Sequence, residues 1–346
     1  MLILSCWRQI RQQLSLDGFS ILTGALLLYL ALSATWQSAD ATDGVAKHFG
    51  YAGLIATFVL GVELAKKRFH QKMTAFVWLV ILAGITSSIY SLTLHYLLPD
   101  YQPLPEPRLY SMGRLSNPVI GAVSYGFVAV LAAYLVLISQ RRAQFLLLGV
   151  LAVLTWAIAL SGTRTVWLAL IASCAVGIHL SIPERSKTLI PVMIVIVVSI
   201  ALATIGFDEF LRRSFSFRPE IWTHFVTLTM DDLGSVLLGA GSGTPTDWVT
   251  SVDVFKHPHS IFVSTFYFGG LIGLLLLLAT YFFAVKKVIQ SKDPIAPLAA
   301  MLVIFGLIVG LLDGDNLLTK IDYLWWVFWL PVALCISLED ADHQSV

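Results

Sequence analysis

The chain has 346 residues, of which 57% are hydrophobic and only 12% charged, with a formal net charge of +1 and a mean hydropathy of +0.81. A soluble domain carries about 25% charged residues, so this composition excludes an ordinary soluble fold and points to a chain threaded repeatedly through a membrane. The near-zero net charge provides no field for a nucleic-acid partner.

A spanning helix needs roughly 20 mostly apolar residues, and about ten such windows run along the chain. They are Phe19–Trp36, Phe49–Ala65, Met73–Leu98, Val119–Ser139, Gln144–Ser161, Thr165–Ile182, Thr188–Gly206, Ser260–Ala284, Ile295–Leu312 and Tyr323–Leu338. The expected fold is all-α, a polytopic membrane helix bundle forming one transmembrane domain over residues 1–346. The N-terminal stretch MLILSCWRQIRQQLSLDG has no signal-peptide core of usable length, so the first apolar run is expected to be retained as a span. Cys6, Cys174 and Cys335 are scattered, without metal-ligand spacing or a disulfide framework.

Orientation follows from the Lys/Arg bias of the loops. One set of loops holds Arg8 and Arg11, Lys66–Arg68 with Lys72, Arg141 and Arg142, Arg185 with Lys187, and Lys286, Lys287 and Lys292, thirteen cations in all. The opposite set holds nine, most of them in long loops, where the rule carries little weight. Both termini are therefore expected in the cytoplasm, and the 207–260 loop on the outside, in a Gram-negative cell the periplasm.

Four outward segments carry polar chemistry. Residues 99–118 hold Pro99, Pro103, Pro105, Pro107 and Pro118 and are expected to form an extended loop. Ser161-Gly162-Thr163-Arg164-Thr165 is a tight turn between two spans, and Leu312-Asp313-Gly314-Asp315-Asn316 opens the last outward loop. Within the large loop, Asp208 to Leu233 alternates charges with Phe210, Phe215, Ile221, Trp222 and Phe225, which suits one or two interfacial amphipathic helices. Gly239-Ala240-Gly241-Ser242-Gly243 then reads as a flexible crossing.

Each notable residue has a functional and a plain reading. Arg164 at a span end either faces a cavity or partner or snorkels to the interface. Arg218 precedes Pro219, which suits a helix's first turn, where N–H groups and a guanidinium converge on phosphate oxygens. Arg212 and Arg213 could enlarge that anion site; the alternatives are lipid headgroups or a salt bridge from Arg218 to Glu220. His259, after His257-Pro258, is either a proton carrier at the mouth of the bundle or a structural histidine; His257 is the weaker candidate. Asp313 and Asp315 either orient His259 or bind an acceptor, or simply close a helix-end turn.

The order of an apolar span, a TRT turn, a second span, a long outward loop with RPEIW, and then HPHSIFVSTFYFGGLIGLLLLL resembles the O-antigen ligase/polymerase superfamily of bacterial inner-membrane glycosyltransferases. The match covers roughly residues 145–320 and places the family's arginine, arginine and histidine at Arg164, Arg218 and His259. Gly270-Leu271-Ile272-Gly273 matches the following glycine helix, and Asp313 and Asp315 both compete for the acidic position of the last loop. Members usually carry about twelve spans, where about ten are counted here, and Ser260 replaces the common Asn.

The resemblance implies a GT-C-like bundle that transfers glycan from undecaprenyl pyrophosphate, in the periplasm, with inversion and without nucleotide sugar, metal or other cofactor. Arg164 and Arg218 would steady the leaving pyrophosphate and His259 the attacking hydroxyl. The acceptor would be lipid A-core for a ligase. A polymerase using a second lipid-linked glycan, and a protein O-oligosaccharyltransferase, share the same donor site. A transporter or flippase surrounded by membrane lipids is the reading from another class, weighed against by charges that cluster at the rim rather than at mid-membrane.

Overall fold

The computed structural model describes residues 17–39, 44–69, 72–98, 108–111, 113–181, 217–250 and 254–339. In chain order the helices are α1 (Gly18–Ser33), α2 (Val45–Phe69), α3 (Met73–Leu97), α4 (Pro118–Ile138), α5 (Arg141–Ser161), α6 (Arg164–Ser181), α7 (Arg218–Thr229), α8 (Leu233–Leu238), α9 (Ile261–Gln290), α10 (Ala296–Leu312) and α11 (Leu330–Ile336). A π-helical turn, Trp325–Trp329, leads into α11. A two-stranded antiparallel hairpin pairs β1 (Trp248–Val249) with β2 (Val254–Phe255).

Among the described residues, seven helices are long and apolar enough to cross a membrane, while α10 and Trp325–Ile336 are shorter apolar helices. The expected span Thr188–Gly206 lies outside the described residues, as do Arg212 and Arg213. The second span runs longer than its apolar core. The helix extends over Val45–Phe69 because Lys66, Lys67 and Arg68 occupy its last turn, where cations complement the exposed carbonyls.

The chain divides into two compact units. The first comprises residues 1–70, 215–293 and 310–346 and is organised around α9. Phe19 of α1 stacks on Phe283 of α9 with centroids 6.3 Å apart. Nearer its start α9 carries α7 and α8, packed through Ile221 and Phe225 of α7 against Tyr267 and Phe268. Helix α7 thus buries Ile221 and Phe225 against a neighbouring span.

Helix α9 is interrupted at Gly270, whose φ of 60° and ψ of −160° belong to a region open essentially to glycine alone. The break frees carbonyls that need donors in a hydrocarbon setting. Tyr267 O accepts from Ala240 N–H at 2.7 Å and Phe268 O from Gly241 N–H at 3.0 Å. Gly269 O accepts from the Tyr29 hydroxyl at 2.7 Å. A Cβ on Gly239 would lie 2.5 Å from Gly270 N, and one on Gly270 would lie 2.4 Å from the Leu237 carbonyl. The glycine-rich stretch after α8 is therefore clamped to the break in α9 rather than acting as a loose crossing.

At the far end of α9, Lys66 pairs with Asp293 and donates to Ser337 O at 2.6 Å. Both side chains are buried, which ties the ends of α2, α9 and α11 together. Lys287 near the end of α9 pairs with Asp17, the N-cap of α1, at 2.9 Å.

The second unit comprises residues 71–214 and 294–309, with α4 at its centre. Most of α4 is buried, as expected of a helix apolar all round. It packs against α3, α5 and α6, and Gly126 admits Val166 of α6 and Phe305 of α10 where a Cβ would meet them at 2.5 and 2.9 Å. The Tyr125 hydroxyl is held by Ser91 and Ser111 at 2.9 Å each.

Gly270→Ala combines a forbidden backbone conformation with a clash against α8. It should cost on the order of 3 kcal/mol, read as a lowered thermal unfolding midpoint of the purified protein in detergent.

Candidate active site

In the first unit, three segments meet at the start of α9. Helix α7 begins at Arg218 with Pro219 in its first turn, and the preceding Phe217 adopts φ +57°. Helix α9 is capped by Ser260, whose side chain accepts from Val263 N–H. Serine caps as well as asparagine does, so this departure from the family pattern leaves the helix start intact. His259 just before it has φ +54°. Two non-glycine residues with positive φ within one site mark backbone held against its preference.

The third segment is the turn after α10. Gly310 and Gly314 lie so close to Ile261 that a Cβ on either would fall 2.6 Å or less from its side chain. This contact brings Asp313 into the site, with its backbone carbonyl held by the Tyr323 hydroxyl at 3.0 Å.

Asp313 is 5% exposed and joins the other two segments. Its Oδ2 accepts from an Arg218 guanidinium nitrogen at 3.0 Å, and Arg218 Nε also donates to Leu312 O at 2.7 Å. Its Oδ1 lies 3.8 Å from His259 Nδ1, beyond hydrogen-bond reach but within ion-pair range once the ring is protonated. Arg218 thus pairs with Asp313 rather than with Glu220.

His257 packs on His259 with ring centroids 3.9 Å apart, and its Nδ1 accepts the His259 backbone N–H at 3.3 Å. Burial pushes the His257 imidazole below its usual range and the neighbouring His259 adds to this, against the opposing pull of Asp315 and Asp313. Burial raises the Asp315 carboxyl, partly offset by His257 and His259. Of the two competing aspartates, Asp313 touches Arg218 and His259, whereas Asp315 acts on His257 through its field.

Arg164 belongs to the second unit, at the first position of α6. The turn before it closes α5 through Gly162, which adopts φ +67° as a left-handed cap. Arg108, from the proline-rich loop, buttresses this turn. Its Nε donates to Ser161 O at 2.6 Å and a terminal nitrogen to Thr163 Oγ1 at 3.4 Å. Leu109 N–H adds a bond to Leu160 O at 2.9 Å. Nothing in the spacing of residues 99–118 signals this role, because the partners lie 53 and 55 residues away.

A family profile described as O-antigen ligase matches residues 149–278, a stretch that holds the TRT turn, Arg218 and His259. The chain is also similar to an O-antigen ligase of Pseudomonas aeruginosa, 31% identical over 318 residues, which cover 90% of this chain and 75% of that protein. The chain belongs to the O-antigen ligase family. That membership, with its spanning helices, makes it a multi-pass membrane protein of lipopolysaccharide biosynthesis, with a glycosyltransferase-like activity.

Two further outcomes follow for this O-antigen ligase homologue. Arg108→Ala leaves the Ser161 carbonyl without its donor and should cost roughly 1–3 kcal/mol, visible as a lower unfolding midpoint that Arg108→Lys restores in part. Asp322, half-buried beside the site, has its carboxyl pushed up to about 7, chiefly by burial, with Asp315 adding and the Leu324 N–H opposing. A carboxyl raised in the folded state penalises folding progressively as pH rises from about 4 towards about 7, and by a constant amount above that. Asp322→Asn should therefore raise the unfolding midpoint at pH 8 and change it little at pH 4.

Proposed function

We propose that this protein is a lipopolysaccharide O-antigen ligase. It transfers glycan from undecaprenyl pyrophosphate to a sugar hydroxyl of lipid A-core on the periplasmic face of the inner membrane, with both of its termini in the cytoplasm. The observation that carries this reading is Asp313 joining Arg218 and His259 at the head of α9, in a chain of the O-antigen ligase family.

In the proposed reaction the acceptor hydroxyl oxygen attacks the anomeric carbon of the donor sugar. The bond from that carbon to the pyrophosphate oxygen breaks, and undecaprenyl pyrophosphate leaves with the electron pair. Attack opposite the leaving group inverts the anomeric centre, and no metal enters the step. His259 Nε2 takes the hydroxyl proton, and Asp313 steadies the imidazolium that forms, closing the 3.8 Å gap at Nδ1.

Charge grows on the leaving pyrophosphate in the transition state, where fixed cations act most strongly. Arg218 is the cation for that charge in the first unit. Its fork already spans Leu312 O and Asp313, so it is held in place before substrate arrives. The TRT motif adds Arg164 as a second cation. Arg212 and Arg213 extend the basic character of the loop, and His257, Asp313 and Asp315 complete the polar lining offered to substrate.

The test uses a strain lacking the gene, complemented with wild-type, Arg164→Ala, Arg218→Ala or His259→Ala protein at matched expression, with lipopolysaccharide resolved on gels. Each variant should lose nearly all O-antigen attached to core, while lipid-linked polymer accumulates. A product with a single repeat unit on core would identify a polymerase instead. An unchanged ladder in every strain would overturn the glycosyltransferase reading.

A further inference from the structure

Beside Arg218 the first unit displays a row of aromatic rings that the proposed chemistry does not use. His224 of α7 stacks on Trp248 of β1 with centroids 4.2 Å apart and planes within 9°. Trp248 faces Phe255 across the hairpin at 5.6 Å, and Phe255 meets Phe217 at 5.9 Å. The inner edge of the row is anchored, since Trp248 and Phe255 pack against the buried cluster of Ile221, Phe225, Tyr267 and Phe268. Its other end is open among the described residues. Phe217 is 53% exposed, and its left-handed backbone carries a bulky side chain at some conformational cost.

Trp248 and Phe255 close on the buried cluster, while the last ring, that of Phe217, lies open next to Arg218. Two features indicate what the row meets. Phe217 directly precedes Arg218, and Phe255 is two residues ahead of His257, so the row is joined in sequence to both sides of the site. Moreover, in a substrate whose pyrophosphate contacts Arg218, the first sugar is bonded to that pyrophosphate. A pyranose offers an apolar C–H face with hydroxyls around its edge, which suits an aromatic face flanked by polar groups.

We propose that Phe217, Phe255 and Trp248 form a sugar-binding shelf that takes a pyranose ring of a glycan substrate beside Arg218. The inference rests on the ligase reading of the same site. The sugar belongs either to the undecaprenyl-linked donor or to the lipid A-core acceptor, which share this ring chemistry.

The test measures transfer by purified full-length protein, with undecaprenyl-pyrophosphate-linked O-antigen and lipid A-core each titrated in turn. Phe217→Leu keeps an apolar side chain but removes the aromatic face. It should raise KM for one of the two glycans about five- to tenfold, with the effect falling on KM rather than kcat, and the substrate affected identifies the source of the sugar. Inhibition by glycan-free undecaprenyl pyrophosphate should be unchanged, and Phe217→Trp should recover the low KM. Leucine performing as well as phenylalanine would overturn the shelf and indicate a contact with lipid. Equal impairment by leucine and tryptophan would overturn it in favour of packing. Arg218→Ala run alongside separates the two proposals, since activity surviving that change defeats the ligase site itself, whereas activity lost there but intact in Phe217→Leu defeats only the shelf.

Discussion

A carboxylate that is almost wholly buried must be matched by cationic or hydrogen-bonding partners, and Asp313 finds them on two different segments. One oxygen holds Arg218 at the start of α7, and the other faces His259 at the start of α9. The pairing fixes where the turn after α10 meets the start of α7, because parting Asp313 from Arg218 would strip a buried carboxylate of its cation at a cost of several kcal/mol. The turn after α10 can reach this point only because Gly310 and Gly314 let it lie against Ile261. Backbone packing thus delivers the acid, and the acid in turn holds the arginine and faces the histidine.

The break in α9 applies the same logic to backbone groups. A helix that stops hydrogen-bonding to itself inside an apolar environment needs outside donors, and here the chain after α8 and the hydroxyl of Tyr29 supply them. The outward loop is consequently stitched to the span that follows it. That attachment holds α7, and with it Arg218, over the head of α9 without relying on propensity in a short loop helix.

Much of this was legible in the sequence, though unevenly. The long apolar windows mark spans because runs of about twenty apolar residues have few other uses, and RPEIW in the outward loop and HPHS at a span start stand out as polar motifs. The choice between Asp313 and Asp315 was not legible, since both flank Gly314 and the decision depends on how tightly that glycine packs on Ile261. GAGSG suggests freedom by composition, yet its glycines serve close approach to α9, a distinction that needs the break at Gly270 to be known. Arg108 lies in a stretch whose prolines suggest a mere spacer, and its partners come from a distant turn. Contacts of that range leave no periodicity to read.

The pairing of Lys66 with Asp293 has a consequence for how the protein is made. The two residues are 227 positions apart, so at translation speeds of about 5–20 residues per second the lysine exists for roughly ten to fifty seconds before its partner is synthesised. Until then it stands with Lys67 and Arg68 in a basic cluster at the end of α2, the kind of loop charge that biases membrane topology. Once α9 and the loop after it are in place, the same ammonium is buried and neutralised. The side chain that first belongs to the basic cluster at the end of α2 thus becomes a clasp between helix ends only after residue 293 has been made, with the order set by the direction of synthesis.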